Sequence, residues 1–470
     1  MFLRNKTSTN VFFCVNQTSR NFSSRLRSCA NMHEKHSAVL ANDRLSSNVH
    51  DGGLGIADFF SGKKLLITGY WILSKRCTLL TSMAIVNTEL FKCLREEHET
   101  FFKEFILNKL VPEVGNMCET NLGIEEDAGR RICFILLIVL LSSRFDVALD
   151  LNTVGAARIV NFAKKCEKLK LYVHISTGNH SSSYIISHEI FVNLSAGSAY
   201  ASRQSEGKII EQSFGKGHYV ASSSDILAAP HKLIHGLDIA AEIKLASEMK
   251  KSFKENEIDQ KLKDLGMSRA QKYQWPNTYA FTKAMGEMVV EDIKGHLPVI
   301  IIRPSIIEST SKEPFPGWIE GNRMIDPIML LYGKGKLPGF YSDPNIALDV
   351  IPVDIVVNST LAAIAKHGRE ESKPEDNDSR DDHVYQITSS VSSSIHLNKA
   401  YLNTKNNKCR FDNNGVEKLM KCLSEKERKE FGFDVSSIDW KDYFISVHFP
   451  GIRKHVMKER VLQFKSLQNS

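Results

Sequence analysis

Tyr279-Ala280-Phe281-Thr282-Lys283 sets a phenol four residues before an ammonium. On a helix these two side chains share a face, one turn apart. A nearby positive charge favours phenolate and lowers the tyrosine pKa, making the phenol a usable proton donor near neutrality. That is the apparatus for protonating a carbonyl oxygen as hydride arrives at its carbon. The spacing alone is weak, since with 12 tyrosines about one match is expected by chance. The chain holds three. Tyr332/Lys336 falls in the loop-like Gly333-Lys334-Gly335-Lys336, and Tyr401/Lys405 in an Asn-rich polar stretch. Only Tyr279 opens an amphipathic pattern that leads into a buried-strand pattern; a tyrosine that merely packs its helix is the competing reading.

The elements that would position this pair alternate. Lys63 to Gly69 is a short apolar strand ending in glycine, as the first strand of a dinucleotide-binding unit does. Residues 99–111 read as helix, Ala156, Ile159, Val160 and Ala163 recur at helical spacing, and Leu169 to Ser176 is the next strand. A charged helical stretch covers 237–264, and Tyr279 to Asp292 is helical. Leu297 to Ile302 is a buried strand running into Arg303-Pro304-Ser305. Strands alternating with helices predict an α/β fold with a Rossmann-type parallel sheet. From Val384 the chain reads as a smaller, mostly helical unit. The expected organisation is a leader over 1–50, a dinucleotide-binding domain over 55–366, a linker over 367–383 with seven acidic and three basic residues, and a C-terminal domain over 384–470.

Composition narrows the class. Of 470 residues, 42% are apolar and 24% charged, which fits a folded protein and excludes global disorder. The longest apolar run, Ile132 to Leu141, is half the length of a membrane span and long for a strand. Nine scattered cysteines with no CxxC pair argue against a disulfide framework or a cysteine zinc site, and for a reducing compartment. The net charge of +7 is unevenly placed. Residues 1–33 carry Arg4, Lys6, Arg20, Arg25 and Arg27, eight Ser/Thr and no acid; without those five, 56 basic residues face 54 acidic ones. The body is nearly neutral, so nucleic acid is not an expected partner. The leader has the composition of an organelle transit peptide, which composition does not divide between plastid and mitochondrion; an ordinary disordered N-terminus is the alternative.

A longer resemblance surrounds the Tyr279 motif. Trp275 to Glu287, Ile302 to Ile307, Lys312-Glu313-Pro314-Phe315-Pro316-Gly317-Trp318-Ile319-Glu320-Gly321, Tyr332 to Gly335 and Asp349 to Asp354 closely resemble the fatty acyl-CoA reductases, extended short-chain dehydrogenase/reductases. Glu89 to Leu94, Asp146 to Asp150, Arg410 to Asn413, Glu430 to Asp434 and His448 to Gly451 resemble the plastid, male-sterility type of the plant branch. The resemblance covers most of 55–458. It implies an NADPH-dependent reductase taking a long-chain acyl thioester, of CoA or acyl carrier protein, through aldehyde to primary alcohol for wax, cutin or pollen-wall lipid. It makes plastid the first choice of compartment and mitochondrion the second. It implies that Tyr279 donates the proton, that Lys283 tunes it and holds the nicotinamide ribose, and that Thr68, Gly69, Pro304 and Ser305 line the cofactor. Ser176-Thr177 stands where the family has a strand-ending Ser-Thr pair. Thr177 would hydrogen-bond the substrate carbonyl, with a hydroxyl that caps backbone as the competing reading. No metal is implied.

The chain departs from the family at sharp edges. Where the family reads Thr-Gly-x-x-Gly, this chain has Thr68-Gly69-Tyr70-Trp71-Ile72, with bulk where backbone must approach a pyrophosphate. Some 20 residues separate Gly69 from Glu89, too few for the strand and ribose-binding turn that the family places there. Glu89 has the spacing of a ribose acid, but its Glu-Leu-Phe-Lys context is helical. The family's Asn/Ala-rich strand end is replaced by apolar sequence around Ile132–Ser143, and an insertion lies between Thr177 and Tyr200. Misjoined exons and decay of a duplicated gene would each leave such edges. A non-catalytic relative that cannot hold dinucleotide is therefore the alternative function.

Overall fold

The computed structural model describes residues 10–16, 53–61, 64–69, 87–115, 122, 134–138, 144–176, 207–209, 211–214, 237–273, 275, 277–322, 325–336, 347–369, 383–389, 395–396 and 409–458. Its centre is a seven-stranded sheet built from β1 (Asn10–Asn16), β2 (Lys64–Gly69), β3 (Leu110–Gly115), β4 (Phe134–Ile138), β5 (Leu171–Ile175), β7 (Val299–Pro304) and β11 (Val384–Ile387), in the order β11-β7-β5-β4-β2-β1-β3. The run β2-β4-β5-β7-β11 is parallel throughout. Three short pairs stand apart: β6 (Gly207–Ile209) with β13 (Cys409–Phe411), β8 (Ile306–Glu308) with β10 (Val350–Pro352), and β9 (Ala347–Leu348) with β12 (Ile395–His396). The expected Rossmann-type parallel sheet is present.

Period-2 alternation sends the side chains of the central strands into two different cores. Leu171, Val173, Ile300 and Ile302 face one, and Tyr172, Val299 and Ile301 face the other. The first is covered by α1 (Ile56–Phe60) and later helices, while α2 (Lys92–His98) and α3 (Phe102–Lys109) form a small cluster of their own through Leu94, Phe102 and Ile106. The second is covered by a helical run in which α4 (Phe145–Ala148) passes through a π-helical stretch, Leu149–Val154, into α5 (Gly155–Ala163), together with α8 (Thr278–Ile293). Two amphipathic helices, α6 (Ile239–Ser252) and α7 (Ile258–Lys272), add an outer layer around Phe145, Tyr273, Phe281 and Met285. The charged stretch read as one helix is thus two, broken at Phe253–Glu257.

Two contacts tie the expected units to the central sheet. The leader is not all free chain: β1 lies antiparallel between β2 and β3 and satisfies backbone groups on the edge of β2. The unit from Val384 shares the core of the sheet. β11 is a fully buried parallel neighbour of β7. After α9 (Asp326–Gly333) and α10 (Val353–His367), the helices α11 (Asn414–Lys421) and α12 (Glu425–Phe431) and the segment to Val456 pack Leu419, Phe431, Trp440 and Tyr443 into the same cluster as Ile300 and Ile302. A separate small core would bury less apolar surface than this shared one does. Of the acidic linker, residues 370–382 lie outside the described residues.

Candidate active site

Helix α8 carries the motif. Asn277 caps it by accepting from the Ala280 N–H at 2.8 Å, which satisfies one of the donors a helix start leaves open. Every residue from Thr278 to Met288 is buried, so this helix crosses the interior rather than lying on the surface. It fits there because Gly286 lets it touch the π-helical segment. A Cβ on Gly286 would lie 2.1 Å from the Asn152 carbonyl oxygen. The contact is locked by hydrogen bonds: Asn152 Nδ2 donates to Thr282 Oγ1 at 2.8 Å, and Thr153 Oγ1 donates to the Thr282 carbonyl at 2.9 Å.

Tyr279, Lys283 and Glu287 follow one another at one-turn spacing along α8. The Lys283 ammonium donates to the Ile175 carbonyl at the end of β5, at 2.7 Å. Glu287 forms a buried ion pair with Arg303 of β7 and accepts from the Phe214 N–H at 3.0 Å. Arg303 also donates to the Gln212 carbonyl at 2.7 Å and stacks over the Phe214 ring at 4.2 Å. Nε and Nη2 of the guanidinium are thus both engaged, which offsets the cost of burying its charge. These ties fasten α8 to the ends of the two central strands.

Electrostatics revise one expectation. Burial pulls the Lys283 pKa down to about 8, against the opposing pull of Glu287. Burial also pushes the Tyr279 phenol well above its ordinary value, so the predicted lowering by Lys283 does not occur. Desolvation of the phenolate outweighs the neighbouring charge here. The phenol stays protonated, which is the form a proton donor needs.

Parallel sheets bind ligands beyond the carboxyl ends of their strands. Gly69, Ile138, Ile175 and Pro304 end β2, β4, β5 and β7, side by side in the sheet. Lys283 reaches this edge at the Ile175 carbonyl, next in the chain to Ser176, and Tyr279 lies one turn before it on α8. The hydroxyls of Ser176 and Ser305 and Nε2 of His174 are buried there without hydrogen-bond partners. With the Lys283 ammonium these orphaned groups fit the ribose and amide of a nicotinamide. Thr68 and Gly69 pair with Leu137 and Ile138 two strands away, where the pyrophosphate half would lie. Thr177, Trp71, Ile72 and the 178–199 insertion lie outside the described residues. Glu89 turns away from the ribose role, pairing with Lys454 at 3.5 Å and His455 at 3.0 Å.

Sequence reading passed over Asn152, Glu287 and Arg303. The signal for the last two was one acid and one base inside otherwise apolar buried runs. For Asn152 it was an amide on the inner face of a helical pattern.

Two models of the male sterility protein family match this chain, over residues 81–360 and 380–459. The chloroplastic fatty acyl-CoA reductase 2 of Arabidopsis thaliana is 36% identical over 87% of this chain and 80% of its own length. The alcohol-forming fatty acyl-CoA reductase of Simmondsia chinensis is 30% identical, over 79% of this chain and 87% of its own. Among solved structures, the reductase domain of a nonribosomal peptide synthetase from Mycobacterium tuberculosis aligns with 81% of this chain and 77% of its own at 15% identity. The TM-score of that alignment is 0.38.

Proposed function

This chain belongs to the male sterility protein family, and we propose that, like the fatty acyl-CoA reductases it resembles, it reduces long-chain acyl thioesters to primary alcohols. The observation that supports this reading is the Tyr279/Lys283 pair one turn apart on α8, with the Lys283 ammonium on the Ile175 carbonyl at the carboxyl end of β5, next to the orphaned Ser176 hydroxyl. NADPH, when bound, supplies the hydride. Lys283 holds the nicotinamide ribose with its ammonium. The protonated Tyr279 phenol donates to the carbonyl oxygen as charge develops there, and Thr177 orients that oxygen. The first reduction gives a hemithioacetal, which expels thiol to leave an aldehyde. The second gives the alcohol. Two hydrides and two protons are consumed for each alcohol and thiol released.

The substrate is the thioester of CoA or acyl carrier protein, and the compartment is the plastid, which the basic, hydroxyl-rich leader and the chloroplastic relative support. The product would serve wax, cutin or pollen-wall lipid. Incubating purified chain with each thioester and NADPH or NADH, with alcohol read by mass spectrometry, tests substrate and cofactor together. One sequence feature favours a second reading, a relative impaired in dinucleotide binding: Ile72 stands where the family has the second glycine of the phosphate turn.

A further inference from the structure

Glu308, Asp326 and His448 come from the end of β8, the first turn of α9 and the C-terminal segment, and meet in the interior. They are 3%, 1% and 0% exposed. His448 Nε2 lies 3.1 Å from Asp326 Oδ1 and 3.6 Å from Glu308 Oε2. The rings of Tyr443, Phe444 and Phe449 surround the imidazole, with centroids 5.2–5.9 Å away.

The Tyr443 hydroxyl donates to the Ser309 carbonyl at 2.7 Å, which uses its one hydrogen. In the 3.1 Å contact between that hydroxyl and Ser309 Oγ, the serine must then be the donor. Ser309 Oγ can therefore only accept from His448 Nδ1 at 3.0 Å, so Nδ1 carries the hydrogen. In a neutral imidazole this leaves the Nε2 lone pair aimed at two carboxylates. Neither Glu308 oxygen has a hydrogen-bond partner.

We propose that Glu308, Asp326 and His448 bind one divalent cation of the zinc class, which joins the end of β8 and the start of α9 to the C-terminal segment. One imidazole with two carboxylates suits zinc better than calcium or magnesium, which prefer more oxygens. Ligand atoms about 2.0–2.2 Å from a tetrahedral zinc stand about 3.3–3.6 Å apart. The two separations measured at Nε2, 3.1 and 3.6 Å, need only small adjustment to reach that range. Two carboxylates neutralise the ion, and the Nδ1–H donated to Ser309 fixes the ring tautomer, as ligand histidines require. The sequence hides this site because its ligands lie far apart in the chain and include no cysteine.

The test is elemental analysis of the full-length chain purified without chelator, alongside Glu308→Gln and His448→Gln. About one zinc per wild-type chain is expected, with both variants holding less than about a tenth as much. If one variant fails to fold, the other and the wild type still decide the matter. After removal of metal from the wild type, added zinc should raise its melting temperature, and cobalt should give visible d–d absorption. A folded wild type that takes up neither zinc nor cobalt would overturn the proposal and leave a proton-sharing cluster. Equal metal content in wild type and variants would overturn it as well.

Discussion

The Lys283 ammonium donates to the Ile175 carbonyl at 2.7 Å, fastening the helix that carries Tyr279 to the end of β5. The same side chain is thereby held at the sheet edge where a nicotinamide ribose would lie. Its pKa of about 8 follows from burial, opposed by Glu287.

The pH dependence follows from that value. Lys283 is charged below about pH 8 and neutral above it, against an ordinary value of 10.5. Between these two pH values the unfolded chain keeps a proton that the folded chain has released. Folding stability from this group therefore rises with pH across that window, and the cost of burying its charge is full below pH 8. If the ammonium holds the ribose, kcat/KM falls on an alkaline limb with an apparent pKa near 8. Lys283→Arg should move that limb upward, because a guanidinium stays charged. A flat alkaline profile in the wild type would contradict the assignment.

Gly286 tests how α8 is seated. A Cβ there would stand 2.1 Å from the Asn152 carbonyl oxygen, so Gly286→Ala must push the helix away. Overpacking of this kind costs about 1–3 kcal/mol. Urea denaturation should show a lower midpoint with an unchanged slope. A midpoint equal to the wild type's would mean the close approach is not native.

How much of this could be read from the sequence depends on how local each signal is. Tyr279 and Lys283 lie within five residues on one helix, and their spacing announces them. β7 announces itself by its isoleucines. The Arg303–Glu287 pair and the grip of Asn152 on Thr282 depend on contacts between elements, so spacing alone does not reveal them. β11 is only four residues long and buried on both faces, so it shows no alternation to distinguish it from the start of a new domain. β1 escaped notice because its basic, hydroxyl-rich surroundings read as an address rather than as sheet.

The leader offers a direct test of that address. Residues 1–33 fused to a fluorescent protein are expected to enter plastids. Because β1 is also a strand of the sheet, a chain lacking those residues should be less stable than the full chain. Diffuse cytosolic fluorescence would contradict the plastid proposal without touching the reductase chemistry.

Ile72 bears on cofactor affinity. A side chain in place of the second glycine keeps backbone N–H groups from the pyrophosphate, and each lost charge-assisted hydrogen bond is worth about 1.5–3 kcal/mol. Two such losses weaken binding by roughly 10²–10⁴-fold. Calorimetric titration should therefore find weak NADPH binding in the wild type and at least about tenfold tighter binding in Ile72→Gly. Low-micromolar affinity in the wild type would show that the turn closes on the phosphates without that glycine.

The central claim, that Tyr279 protonates the carbonyl oxygen of a long-chain acyl substrate, is tested most directly by alcohol production in Tyr279→Phe. The substitution removes one hydroxyl from a buried helix and leaves the ring, so the fold should survive and circular dichroism should match the wild type. With long-chain acyl-CoA and saturating NADPH, alcohol formation should fall by about 10²–10⁴-fold, the usual worth of a general acid. Alcohol formation within about twofold of the wild type would remove Tyr279 from the chemistry and contradict the account.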